Sequence, residues 1–231
     1  MGTSKSHSTP RDYKKKPHDE EKEPFERDEP QDNSPWRKAA NSFSRYVNGN
    51  GEIGKAVANY GVAKLPDVET GECYLNLETL ENLCELFDVR DYSTFCGKFE
   101  DYNKTSLEEF IADLINKIAS AGVFREDVAA RKALAETLKH LSHNLFTVDD
   151  YLPYLFNNRK DVVTKYTKCY IAEQLLTDMS IKIETNCKTA FSAINVENEL
   201  KAFVSNLDYA FDCGSVSADV SLKKLLRMLT L

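Results

Sequence analysis

The stretch that decides the fold is residues 105–118, TSLEEFIADLINKI. Its apolar residues recur every three or four positions, which places them on one face of an α-helix. They are Leu107, Phe110, Ile111, Leu114, Ile115 and Ile118. Thr105 and Glu108 have the spacing of a capping box, in which a hydroxyl and a carboxylate satisfy the first backbone N–H groups. The stretch therefore predicts an amphipathic helix that ends by Gly122 and packs against a core.

The same helical period continues in both directions from this stretch. Helices are predicted over residues 35–47, 53–61, 77–88, 92–102, 126–145, 149–157, 161–194, 196–212 and 218–230. The longest is expected to break near Ser180 or Asn186, and Pro66 to Glu72 is expected to form a turn. No segment has the strict alternation of a β-strand. The sequence therefore predicts an all-α fold, an irregular bundle of about eight to ten helices.

Composition changes sharply near Ser34. Residues 1–35 contain five of the seven prolines and sixteen formally charged groups, with few bulky apolar residues. Such a segment cannot bury enough apolar surface to offset the entropy lost on ordering. We therefore predict a disordered, proline-rich charged arm over residues 1–34 and an all-helical domain over residues 35–231. Pro66 and Pro153 are candidate positions for boundaries between two lobes within that domain.

The overall composition restricts the class of protein. The chain has 231 residues and a formal net charge of −7, and 42% of its residues are apolar, so it can form a core without metal or disulfide bonds. No apolar run is long enough to span a membrane, and no secretory signal is present at the N-terminus. We therefore expect a cytoplasmic protein with reduced cysteines. The acidic balance is unfavourable for a simple nucleic-acid-binding protein.

The first six residues match a lipidation signal. Met1-Gly2-Thr3-Ser4-Lys5-Ser6 fits the pattern of N-myristoylated proteins, in which Gly2 is acylated after the methionine is removed. The stretch resembles the myristoylated N-terminus of Src-type tyrosine kinases, and the resemblance implies only a lipid anchor. One acyl chain binds a membrane marginally, so a second contact is required. Four basic residues are candidates for contact with a membrane or with nucleic acid: Arg11, Lys14, Lys15 and Lys16.

Two hydroxyl residues stand directly before prolines and are candidate phosphorylation sites. They are Thr9 and Ser34. A phosphate on Ser34 would lie at the start of the first predicted helix, where negative charge is favoured. A simple N-cap is the favoured interpretation of Ser34.

Residues 49–55, GNGEIGK, have the spacing of a phosphate-binding loop in which Lys55 would contact the phosphates. Ala56 stands where that motif requires a hydroxyl residue for Mg²⁺, and a helical pattern precedes the loop where the motif requires a strand. A turn between two helices is therefore the favoured interpretation. A calcium loop is excluded, because Tyr46 and Val57 occupy the positions of two required carboxylates.

A second cluster, on a predicted helix, has some character of a metal site. Glu136, His140 and His143 share one face of that helix, opposite its apolar stripe. Zinc would need a further ligand that the sequence does not supply, so we expect surface histidines and no metal. No nucleophile motif accompanies these histidines. We therefore assign no catalytic residue and no cofactor.

The last predicted helix has an apolar stripe with basic residues opposite. Such a helix either docks into the groove of a partner or completes the bundle of its own chain, and the bundle is the favoured interpretation. The leucines of the docking face would be Leu222, Leu225, Leu226 and Leu229.

These features predict a non-enzymatic helical adaptor or scaffold that binds an unidentified protein partner and is tethered to the cytoplasmic face of a membrane by Gly2. A nucleic-acid-packaging or viral structural protein is the first alternative. It would use the arm lysines and the basic residues Arg159, Lys160, Lys165 and Lys168. A P-loop-like nucleotide-binding protein is the second alternative.

Overall fold

The computed structural model describes residues 34–69, 75–100, 106–119, 121–122, 124–211 and 218–230, with backbone only for 66–69. These residues form eleven α-helices and no β-strand, which confirms the all-α prediction. The helices are α1 Pro35–Val47, α2 Ile53–Glu69, α3 Glu78–Phe87, α4 Tyr92–Gly97, α5 Leu107–Ile118, α6 Arg125–Leu141, α7 Val148–Asn157, α8 Arg159–Asp178, α9 Ser180–Asn186, α10 Ala190–Ser205 and α11 Ala218–Leu229.

The segment predicted as one long helix, 161–194, is divided at both expected places. α8 ends at Asp178 and α9 ends at Asn186. α10 then begins at Ala190, because the hydroxyl of Thr189 accepts a hydrogen bond from the Ser192 N–H at 3.1 Å and caps the new helix. The predicted start at residue 196 is therefore wrong, and the extra division raises the number of helices above the expected range.

Helices α1 and α5 begin at capping residues close to those that the sequence predicts. The Ser34 hydroxyl accepts a hydrogen bond from the Arg37 N–H at 3.3 Å and caps α1. At α5 the capping box consists of Ser106 and Glu109, one residue further along than predicted. The Glu109 N–H donates to the Ser106 hydroxyl at 3.2 Å, and the Ser106 N–H donates to the Glu109 carboxylate at 3.1 Å.

α2 continues through Gly61 and Pro66, where a helix end and a turn were predicted. Gly61 does not end the helix but lets α11 approach α2 closely. A Cβ atom at this position would lie 3.1 Å from both the Leu226 carbonyl oxygen and the Leu229 Cβ. Pro66 and Pro153, where sub-boundaries were allowed for, lie inside α2 and α7, and the described residues belong to one compact unit.

The close approach at Gly61 gives a testable prediction. Gly61→Leu is expected to lower the free energy of unfolding by about 1–3 kcal/mol, because the added side chain must push α11 away from α2. Gly54→Ala, also in α2, is the control, because its Cβ would lie 3.8 Å from the Phe203 ring, an ordinary contact. That control is expected to gain up to about 1 kcal/mol from helix propensity. Urea unfolding measures both, and equal effects would contradict the prediction.

α11 packs on α2 as a helix of the bundle. The residues of the alternative docking face, Leu222, Leu225, Leu226 and Leu229, are all buried in the core, as the favoured interpretation requires. They do not form an exposed docking face, because the chain's own α2 covers their apolar stripe.

α8 lies at the centre of the fold. It buries residues on every side, including Val163, Tyr166 and Ile171, and it contacts α3, α6, α7, α9 and α10. Lys160 and Asp161, in its first turn, are exposed. Glu173 is buried and pairs with Lys132 of α6 and Lys201 of α10, and Asp178 pairs with Lys64 of α2.

Candidate functional site

An open groove of about 1120 Å³ lies between α5 and α6. The two helices are consecutive in the chain, separated by residues 119–124. Ile111 and Ile115 of α5 are buried and form an apolar floor. The residues that line the groove are Glu108, Ile111, Ala112, Ile115, Asn116, Ala121, Gly122, Asp127, Val128, Arg131, Lys132, Ala135, Lys139 and Ser142.

Arg131 fixes the two walls of the groove relative to each other. Its guanidinium, on α6, donates a hydrogen bond to the Ala119 carbonyl oxygen at 2.9 Å and a second bond to the Asn116 side chain. These groups belong to the C-terminal end of α5, where exposed carbonyls and the helix dipole favour a cation. The charge of Arg131 is therefore engaged in holding α5 against α6.

Asp127 closes the end of the groove near the connection. Its carboxylate accepts hydrogen bonds from the Phe124 N–H at 3.3 Å and from the Asn76 side-chain amide at 2.7 Å. A Cβ atom at Gly122 would lie 1.9 Å from the Asp127 Cβ, so only glycine fits beside it. Both carboxylate oxygens of Asp127 thus have partners within the fold.

A charge network around the buried Glu173, defined here as Lys132, Glu136, Glu173 and Lys201, joins α6, α8 and α10 behind the groove. The Glu173 carboxylate is only 2% exposed and lies 2.7 Å from the Lys132 ammonium and 2.6 Å from the Lys201 ammonium. Lys201 also donates a hydrogen bond to Glu136 at 2.7 Å. Burial lowers the pKa of Lys201, but the neighbouring carboxylates of Glu136 and Glu173 raise it by more. The pKa of Lys201 therefore lies above its usual value.

Two large apolar side chains are exposed where α6 begins. Phe124 is 70% exposed and Val128 is 57% exposed, and Val128 lines the groove. Exposed apolar side chains beside a groove are typical of a surface that a partner covers. The groove therefore has an apolar floor and exposed apolar side chains at the start of α6. Most of its charged side chains have partners within the fold.

The other candidate residues do not come together. His140 and His143 are exposed, Glu136 is engaged with Lys201, and the described residues contain no group of three side chains able to hold a metal ion. The segment after α1 is a turn, with Gly49 at φ 73° and Lys55 exposed. A helix, not a strand, precedes it, as the favoured interpretation requires.

Two of the four basic residues of α8, Lys168 and Arg159, have contacts within the fold, whereas Lys160 is exposed. The Lys168 ammonium donates to the carbonyl oxygens of Ser205 at 3.1 Å and Leu207 at 2.6 Å, and so caps the end of α10. The Arg159 guanidinium lies 4.6 Å from the centre of the Phe156 ring. Burial lowers the pKa of Lys165. These contacts do not favour the nucleic-acid alternative.

The described cysteines, Cys84, Cys96, Cys169 and Cys187, form no disulfide bond with one another. Burial raises the pKa of Cys169, which disfavours the thiolate that a nucleophile requires. Gly2, Thr9, Arg11 and Lys14–Lys16 lie outside the described residues, so the charged arm, the lipid anchor and its basic contacts stay predictions. No helix in the described part of the chain is long and apolar enough to cross a membrane.

The fold and the groove define the class of the molecule, an all-helical protein with a surface suited to a partner. A family model described as "Qat anti-phage system associated protein QatB" matches residues 98–207 of this chain. The matched region contains α5 to α10, and with them the whole groove and the whole charge network. No curated protein and no solved structure gave a match.

Proposed function

We propose that this protein is a non-enzymatic, cytoplasmic adaptor in a multi-protein anti-phage system, where it holds protein partners together. The similarity of residues 98–207 to an anti-phage system associated protein carries the proposal. That region is just under half of the chain and includes every residue of the α5–α6 groove.

The chemistry of the groove supports a binding role. Three of its charged side chains, Asp127, Arg131 and Lys132, have partners within the fold. Catalytic acids and bases instead converge on a space that a substrate can enter. The remaining lining is mainly apolar, which suits burial of a protein surface.

The proposal predicts stable association in cells that carry the complete anti-phage system. An affinity-tagged copy of this protein is expected to co-purify with the other proteins of the system, and its deletion is expected to abolish protection in a plaque assay. Recovery of the protein alone, with protection intact, would contradict the adaptor role. So would one conservative change of a titratable side chain that removes protection but leaves folding and co-purification unaffected.

The lipid tether at Gly2 is a separate part of the proposal, with only the sequence motif in its support. Intact-mass measurement of the protein from its native host checks it, with Gly2→Ala as the matched control. An acyl adduct on the wild-type chain that is missing from the control supports the tether. An unmodified N-terminal glycine removes the tether and leaves the adaptor role as it is.

A further inference from the structure

We infer that the α5–α6 groove binds an amphipathic helix of an associated protein, with an apolar face toward the floor and an acidic edge toward α6. The inference rests on the proposed function, because it specifies the partner surface of the adaptor. Helices that lie in apolar grooves are a common mode of protein recognition.

The dimensions of the groove fit a short helix. Its lining runs from Glu108 to Asn116 on α5 and from Asp127 to Lys139 on α6. At 1.5 Å per residue these stretches are about 12 Å and about 18 Å long, the length of about two to three helical turns. A volume of about 1120 Å³ also exceeds that of most small-molecule sites, which are about 300–1,000 Å³.

The apolar surface continues beyond the floor. Val128 and Phe124 extend it along the first turn of α6, one helical turn apart. A residue of the partner helix that packs between them would bury most of both side chains. Burial of a large aromatic side chain is a frequent source of binding energy at protein interfaces.

The charges of the α6 wall select an acidic partner. Three cations, Arg131, Lys132 and Lys139, and one carboxylate, Asp127, line this wall, and Glu108 lies on the α5 wall. Arg131 and Asp127 have partners within the fold, so Lys132 and Lys139 supply the charge that a partner meets. The side chain of Lys132 is more than half exposed, and Lys139 is exposed as well. If the ammonium of Lys132 turned to a partner carboxylate, Glu173 would still have Lys201 at 2.6 Å. Lys132 is therefore able to contact a partner without leaving a buried charge unpaired.

Two designed helical peptides of about 14 residues test the inference. They share one leucine stripe and differ only in whether the flanking positions are glutamate or lysine. Fluorescence anisotropy with the full-length protein is expected to show binding of the acidic peptide at least about tenfold tighter than that of the basic peptide. Lys139→Glu, which leaves the pairing of Lys132 with Glu173 intact, is expected to reduce this preference.

Val128→Glu has a matched control in Ile194→Glu. Ile194 is 53% exposed, close to the 57% of Val128, but it lies on α10 away from the groove lining. The change at Val128 is expected to weaken binding of the acidic peptide at least about tenfold, and the change at Ile194 is expected to leave it unchanged. Circular dichroism checks that both variants keep their helical content.

Three results would overturn the inference. They are equal affinity for the two peptides, equal effects of the two glutamate variants, and a self-association of the protein alone that only Val128→Glu removes. The last result, measured by analytical ultracentrifugation, would assign the groove to a second copy of the chain. Co-purification with associated proteins would still support the adaptor role in each case. Peptide binding without co-purification would overturn the adaptor role alone.

Discussion

Replacing Lys132 and Lys201 together by methionine is expected to lower the free energy of unfolding by about 3–5 kcal/mol. Glu173 is almost fully buried, and these two ammonium groups lie closest to its carboxylate, at 2.7 and 2.6 Å. The double change leaves a buried carboxylate without a counter-charge, which is more costly than losing an exposed ion pair. Urea unfolding followed by circular dichroism measures the effect.

A triple variant shows whether the double change destabilises the protein through the unpaired charge of Glu173 or through lost packing of the lysine side chains. Adding Glu173→Leu to the double change is expected to recover most of the lost stability, because no charge then remains buried. Glu173→Gln alone is expected to cost less than the double change, since the exposed side chain of Lys132 can turn to solvent. A triple variant as unstable as the double variant would contradict this account.

Phe95→Ala is expected to lower the free energy of unfolding by about 3–5 kcal/mol. Phe95 lies in the short helix α4 and is fully buried. Its ring centre lies 5.8 Å from that of Phe87 in α3, 5.1 Å from that of Phe99 and 5.5 Å from that of Phe156 in α7. Removing the ring opens a cavity where these helices meet, and chemical denaturation measures the loss.

A conservative change at the same position and a nearby exposed aromatic residue serve as controls. Phe95→Leu is expected to cost about 1–2 kcal/mol, because the aliphatic side chain fills part of the space. Tyr92→Ala changes an aromatic residue of the same helix that is partly exposed, and it is expected to cost less than Phe95→Ala. A loss of less than about 1 kcal/mol in Phe95→Ala would contradict a central packing role.

Helix positions were predictable wherever the deciding contacts lie within one or two turns. The Ser34 cap and the stripe of residues 107–118 are such cases, and both are found in the structure. The prediction failed at Gly61 and Pro66, which end helices in most contexts. Contact with α11 uses the missing side chain of Gly61, and the sequence gives no indication of that distant neighbour.

The α5–α6 groove was missed by sequence reasoning, although one signal for it was present. Val128 is apolar but lies off the buried stripe of α6, which includes Ala130, Leu134 and Leu138. An apolar residue on the outer face of a helix indicates a surface that a partner covers, but single exposed apolar residues are also common. Only the position of α5 beside α6 distinguishes the two cases.

The sequence by itself determined the helical class and most helix starts, because apolar period, caps and breakers act between residues close in the chain. The tertiary structure alone decided that α11 packs on α2, that Glu173 meets two lysines and that α5 and α6 enclose a groove. Each of these features depends on which helices become neighbours. The packing of complete apolar helix faces determines the neighbours, and a local sequence pattern does not specify that packing.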